Sequence, residues 1–68
     1  MEESIGTKLR LIRFAQNLTQ EQVAKAIGMK ITTISKYEND KIEKPRLTIL
    51  KKLANYYEVP IDQIIVND

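Results

Sequence analysis

The stretch from Thr19 to Glu38, TQEQVAKAIGMKITTISKYE, constrains the fold more than any other part of the chain. Two helices that meet at a sharp angle across a turn of three or four residues must satisfy several steric demands at once. Ala24 has to be small, because the second helix crosses close over it. Gly28 has to accept a positive φ in the turn. Val23, Ile27, Met29, Ile34 and Tyr37 have to be apolar, to bury the facing sides of the two helices. All seven demands are met within this one segment. A lone alanine or glycine would carry no weight, but their joint occurrence does. The start of the first of these helices is also spelled out. Thr19 followed by Gln22 is a capping box, and Leu18 and Val23 are spaced as a hydrophobic staple. That helix runs to Ile27, where Gly28 stands ready to end it. The next spans Ile31 to Glu38. Asn39-Asp40 marks the loop beyond it, and Asn39 is the residue expected to take the left-handed conformation.

The flanks read as helices too. Helix one runs from about Ser4, a plausible N-cap, to Gln16, with Ile5, Leu9 and Ile12 on one stripe. Pro45 lies near the start of helix four, where proline costs least. Leu47, Leu50, Leu53, Ala54 and Tyr57 form its buried stripe. Pro60 opens a short last helix whose Ile61, Ile64 and Ile65 close the core. No strand pattern, repeat, low-complexity segment or linker interrupts this order. With 68 residues the chain reads as one domain, residues 1–68, and as an all-α compact five-helix bundle. A core of this size stabilises the fold only modestly.

Composition narrows the function classes. There is no cysteine and no histidine. That removes a disulfide framework, a cysteine zinc site, the commonest metal ligand and the commonest general base. Catalysis would then need paired carboxylates in a cleft. The close acids Glu38, Asp40 and Glu43 lie in a short segment with no sign of a pocket. An enzyme is therefore not expected, nor a cofactor, a metal or a small-molecule ligand. The apolar runs fall far short of the ~20 residues a membrane span needs. The acidic opening Met1-Glu2-Glu3-Ser4 lacks the features of a signal peptide, so a cytoplasmic location is expected.

The net charge is only +2, but it is unevenly spread. The segment from Lys25 to Lys52 carries +5 and the rest of the chain −3. Clustered cations are the footprint of a polyanion partner, with an ordinary solvated surface as the other reading.

These residues together resemble the Cro/phage-repressor-type helix-turn-helix family, also called XRE-like. The matching pieces are Ile5-Gly6 with Leu9 and Arg13, Leu18-Thr19-Gln20-Glu21, Ala24, Gly28, Thr33-Ile34-Ser35-Lys36-Tyr37-Glu38, Pro45, Leu53-Ala54 and Val59-Pro60-Ile61-Asp62. The resemblance covers nearly the whole chain. It implies the lambda-repressor-like bundle and sequence-specific regulation of transcription, with repression as the expected sense. It also implies a homodimer on a near-palindromic operator, joined through Val59, Ile61, Ile65 and Val66. Arg13 and Glu38 are implied to be a structural ion pair between helices one and three rather than reading residues.

The physics of readout runs alongside. In this docking mode the N-terminal part of the second helix of the motif meets base edges in the major groove. With Ile34 and Tyr37 inward, Thr32, Thr33 and Lys36 project outward, and Lys30 and Ile31 form the tip. Lys36 can donate to guanine, threonine can bond to a base, and Ile31 can touch a thymine methyl. Ile31 can equally belong to the core, three residues before Ile34. Gln20 lies in the first turn of its helix, where free N–H groups favour a phosphate. The family places a DNA-contacting glutamine there. Base contacts are thus assigned to Gln20, Lys30, Ile31, Thr32, Thr33 and Lys36. Phosphate contacts are assigned to Thr19, Asn39, Lys41, Lys44 and Arg46, which set register and affinity rather than sequence. Lys41 and Lys44 can also be plain solvated loop lysines.

Four features depart from the family. Lys30 replaces the usual Ser or Thr cap of the recognition helix, at a cost of ~1 kcal/mol. Asp40 and Glu58 stand where glycine is common. Leu11 and Phe14 occupy outward positions of helix one that are usually charged, and Tyr56 is read as outward on helix four. These apolar residues are either an interface or scattered surface positions. The competing function is a protein-interaction domain of the same fold, such as an antitoxin or regulatory module with weak DNA binding.

Overall fold

A computed structural model describes residues 3–65. Within these described residues four α-helices follow one another: α1 (Ile5–Ala15), α2 (Gln20–Ile27), α3 (Ile31–Glu38) and α4 (Leu47–Tyr57). A single 3-10 turn, Ile61–Gln63, packs behind α4. The fifth helix expected from the sequence is thus only this turn. Pro60 occupies the cap position, and Gln63 N–H and Ile64 N–H reach back three residues to Pro60 O and Ile61 O. Three isoleucines in five residues restrict side-chain rotamers in a helix, so little local preference lengthens it. Its packing role is kept, since Ile64 is buried and Ile61 and Ile65 lie against the core.

The helices share one core made of Leu9, Val23, Ala24, Ile34, Tyr37, Leu50, Leu53, Ala54, Tyr57 and Ile64. Every demand of the Thr19–Glu38 segment is realised. Val23, Ala24, Ile34 and Tyr37 are buried, and Ile27 and Met29 are half-buried against them. Gly28 takes φ +70° and ψ 38°. Thr19 Oγ1 accepts from Gln22 N–H at 3.1 Å, while Gln22 Oε1 accepts from Thr19 N–H at 2.8 Å. Two fold expectations need correction. Leu47 is 50% exposed rather than core. It lies in the first turn of α4, past the end of the packed stripe. Asn39 keeps φ −104°, and the left-handed residue after α3 is Asp40 at φ +57°.

That conformation gives Asp40 a structural task. Its Oδ1 accepts from Gly6 N–H at 3.0 Å and its Oδ2 from Ser4 Oγ at 2.6 Å. Ser4 in turn caps α1 through Thr7 N–H. The carboxylate therefore closes the open end of α1 from the far end of α3, where it also meets the positive end of the helix dipole. The approach is so tight that a Cβ on Gly6 would lie 2.6 Å from Glu38 O and 2.7 Å from Tyr37 O.

Candidate nucleic-acid interface

The interface is built from the outside of α3 and the segments that flank it. Ile34, Tyr37 and Glu38 turn inward and are buried, which leaves Thr32 and Lys36 on the opposite, exposed side. Lys30 and Ile31 stand exposed at the tip. Ile31 is 45% exposed, so it is a surface residue and not part of the core. Lys30 N-caps α3 without any side-chain hydrogen bond, so its ammonium is not spent on the helix end. Thr33 is half-buried. It lines an open cleft of about 280 Å³ with Met29, Tyr37, Ile42, Lys44, Arg46 and Ile49. Of the two threonines, Thr32 has the more open position and Thr33 faces the flank of the helix.

Lys41, Lys44 and Arg46 are exposed along the loop that leads to α4. Arg46 N-caps α4, and its backbone N–H donates to the Tyr37 hydroxyl at 3.3 Å, which fixes this loop to α3. Among the described residues the one ion pair is Arg13 with Glu38. The cations Lys30, Lys36, Lys41, Lys44 and Arg46 thus have no carboxylate partner among the described residues, and all five are exposed. Asn39 is placed differently from the expectation. Its Nδ2 donates to Ser35 O at 2.9 Å and Ser35 Oγ at 3.2 Å, so its donor end is turned back on α3. A phosphate contact from Asn39 requires that cap to open.

Behind this surface the Arg13–Glu38 pair expected from the resemblance is present and nearly dry. Arg13 is 7% and Glu38 3% exposed. Arg13 Nε donates to Glu38 Oε2 at 2.6 Å and Nη2 donates to Oε1 at 2.9 Å, a bidentate arrangement. The hydrogen bond to Glu38 holds the Arg13 pKa above its ordinary value. Arg13 Nη1 also donates to Leu18 O at 2.7 Å, just ahead of α2. Removing one partner of such a pair strands a buried charge, at a cost of ~3–5 kcal/mol. Sequence reasoning missed that Gln20 joins this group. Gln20 Nε2 donates to Glu38 Oε1 at 3.0 Å, and the residue is half-buried at the first position of α2. A second missed bond runs from Gln16 Nε2 to Tyr57 O at 2.7 Å and closes the end of α4. No local signal in the chain announces either, because their partners are 18 and 41 positions away.

The remaining sites lie apart from this face. Val59, Ile61 and Ile65 are half-buried, and Val66 falls outside the described residues. Leu11 and Phe14 are 46% and 55% exposed, as read, with the Arg13 guanidinium 4.7 Å above the Phe14 ring. Tyr56, expected outward, is instead half-buried and tilted against Tyr57, with the ring centres 5.7 Å apart. Among the described residues, no group of three or more acidic residues is placed to hold a metal ion. No helix there is long and apolar enough to cross a membrane.

Comparison with known proteins places this geometry. A helix-turn-helix family profile matches residues 8–64. A transcriptional repressor of the cryptic phage CTXphi, RstR from Vibrio cholerae, is 37% identical over 60 residues, covering 88% of this chain and 53% of its own. The uncharacterised HTH-type transcriptional regulator RghRB of Bacillus subtilis is 40% identical over 60 residues, covering 88% of this chain and 43% of its own. A glutamine–fructose-6-phosphate aminotransferase of Methanocaldococcus jannaschii is 37% identical over 68 residues, but these make up only 6% of that enzyme. The chain thus spans about half the length of the two regulators, and only a small part of the enzyme. A profile match across most of the chain, on a structure with the capped helix pair and its exposed cationic face, makes this a member of the helix-turn-helix family of Cro/phage-repressor type.

Proposed function

We propose that the domain binds double-stranded DNA with α3 in the major groove, and that the chain is a sequence-specific regulator of transcription. One observation carries this reading above the others. The side of α3 away from the core offers Lys30, Ile31, Thr32 and Lys36 to solvent, beside unpaired cations on the loop to α4. Polar and cationic side chains on an exposed helix at the edge of a basic loop are what base readout with backbone anchoring requires. Thr32 and Lys36 are the principal readers, with Thr33 contributing from the flank. Ile31 suits a thymine methyl, and Lys30 suits a base or phosphate at the tip. Lys41, Lys44 and Arg46 meet phosphates, joined by Thr19 at the open end of α2, and Gln20, read from the sequence as a base contact, is reassigned to a phosphate because its amide is held to Glu38 at that same helix end. Repression is the sense favoured by the similarity to the phage repressor.

We extend the proposal to a homodimer on a near-palindromic operator. One such domain reads a short half-site, and two spaced about one helical turn (~34 Å) apart multiply specificity. Val59, Ile61 and Ile65 offer partly exposed apolar surface for that contact. Selection of bound duplexes from a random library tests the whole reading. The expected product is one preferred sequence with two inverted half-sites. A pool with no preferred sequence would reject specific recognition, and an unpaired half-site would reject the dimer alone. Within the selected site, Thr32→Ala relaxes base preference, whereas Lys44→Ala weakens all sequences alike.

A further inference from the structure

We propose that Glu38 is a positioning residue for DNA binding, acting through Gln20. The inference rests on reading the domain as a DNA binder. An ionised carboxylate has about four lone-pair positions and only accepts. Arg13 occupies one on each oxygen of Glu38, and Gln20 Nε2 takes a third at 3.0 Å. The chemistry fixes which end of the glutamine amide faces inward. A carbonyl oxygen against the carboxylate would be repelled, so the nitrogen must be the inner atom. One amide hydrogen is therefore spent on Glu38, and the second remains as the donor for a phosphate.

The arrangement restrains a side chain that would otherwise be free. Gln20 is the first residue of α2, at a helix end where free backbone N–H groups already attract an anion. A glutamine there normally samples many rotamers and loses that freedom on binding. Here the cost is met during folding, because the anchor is buried and is itself locked by Arg13. Arg13 also holds Leu18 O, two residues ahead of Gln20, so backbone and side chain of this corner are set by the same guanidinium. The core ion pair and the DNA-facing start of α2 form one hydrogen-bonded unit.

Two measurements test this. In the free protein, nitrogen–proton spectra should show the Gln20 side-chain amide pair displaced from the position of an exposed glutamine, and returned to it in Glu38→Gln. On the selected duplex, Gln20→Ala and Glu38→Gln should each weaken binding about tenfold, the loss of one hydrogen bond to a charged group. The double variant should be no weaker than the worse single one. Losses that multiply to about a hundredfold, or an unshifted Gln20 amide in the parent protein, would overturn the inference while leaving DNA binding in place. Absence of salt-sensitive binding by the parent protein would overturn both. If Glu38→Gln does not fold, Gln20→Asn takes its place. It leaves the Arg13–Glu38 pair whole and shortens the reach by one methylene. Binding as weak as that of Gln20→Ala supports the proposal, and parental affinity contradicts it.

Discussion

Among the described residues three non-glycine residues hold positive φ, and two of them make opposite predictions. Glu58 ends α4 at φ +57° and is exposed, so its side chain gives nothing evident in return for the strained backbone. Glu58→Gly should raise stability by about 0.5–1 kcal/mol in urea denaturation. Asp40 has the same φ, but its carboxylate closes the end of α1 through Gly6 and Ser4. Asp40→Gly should therefore lower stability by about 1–2 kcal/mol, although it relieves the same strain. Tyr57 is a third case at this scale. Its hydroxyl is buried without a hydrogen-bond partner, and burial, with Glu38 as a lesser cause, pushes its pKa up to about 12 from 10.0. The unfolded chain releases this proton first, so folding is favoured by the full amount below pH 10 and less so as the pH climbs toward 12. Stability should fall by about 2–3 kcal/mol across that window on account of this group. Denaturation midpoints of Tyr57→Phe should lack that part of the fall, and near neutral pH the variant should be at least as stable as the parent.

Helices α1 and α3 meet at closer range than side chains normally allow, and one glycine makes that possible. A methyl on Gly6 would press on two backbone oxygens of α3 that cannot swing aside. Gly6→Ala should cost about 2–4 kcal/mol, as overpacking of rigid groups does. Thermal unfolding checks it, and a change below 0.5 kcal/mol would show that the two helices separate easily. The elements themselves were largely legible from residue order. Thr19, Gln22 and Gly28 state where α2 begins and ends through local chemistry, and the structure realises all three. The last helix was overread, because a Pro60 start and an isoleucine stripe specify burial without specifying length. Leu47 was overread for a related reason, since periodicity shows which face is apolar but not where packing stops. The long-range polar bonds were illegible. Nothing near Asp40 in the chain shows that Ser4 is its partner, and nothing near Gln20 points to Glu38. The exposed side of α3 followed from burial of Ile34 and Tyr37, whereas the inward turn of Asn39 depended on a side-chain choice between Ser35 and solvent.

At the scale of the whole molecule, a domain measuring 32 × 24 × 21 Å sets five cations, Lys30, Lys36, Lys41, Lys44 and Arg46, on α3 and its flanks while its one described ion pair is kept in the core. The core pair and its bonded Gln20 hold α1, α2 and α3 together, and the lysines and arginine beside α3 stay exposed. Affinity for DNA should then respond to salt in proportion to the phosphates met. With about four such contacts per domain, the slope of log affinity against log salt is about −3.6. DNA binding by this domain is tested most directly by equilibrium binding of the protein to the selected duplex, followed by fluorescence anisotropy as salt rises from about 50 to 200 mM. A loss of about a hundredfold is expected for each engaged domain. Binding that does not change with salt, or no binding at the lowest salt, would contradict it.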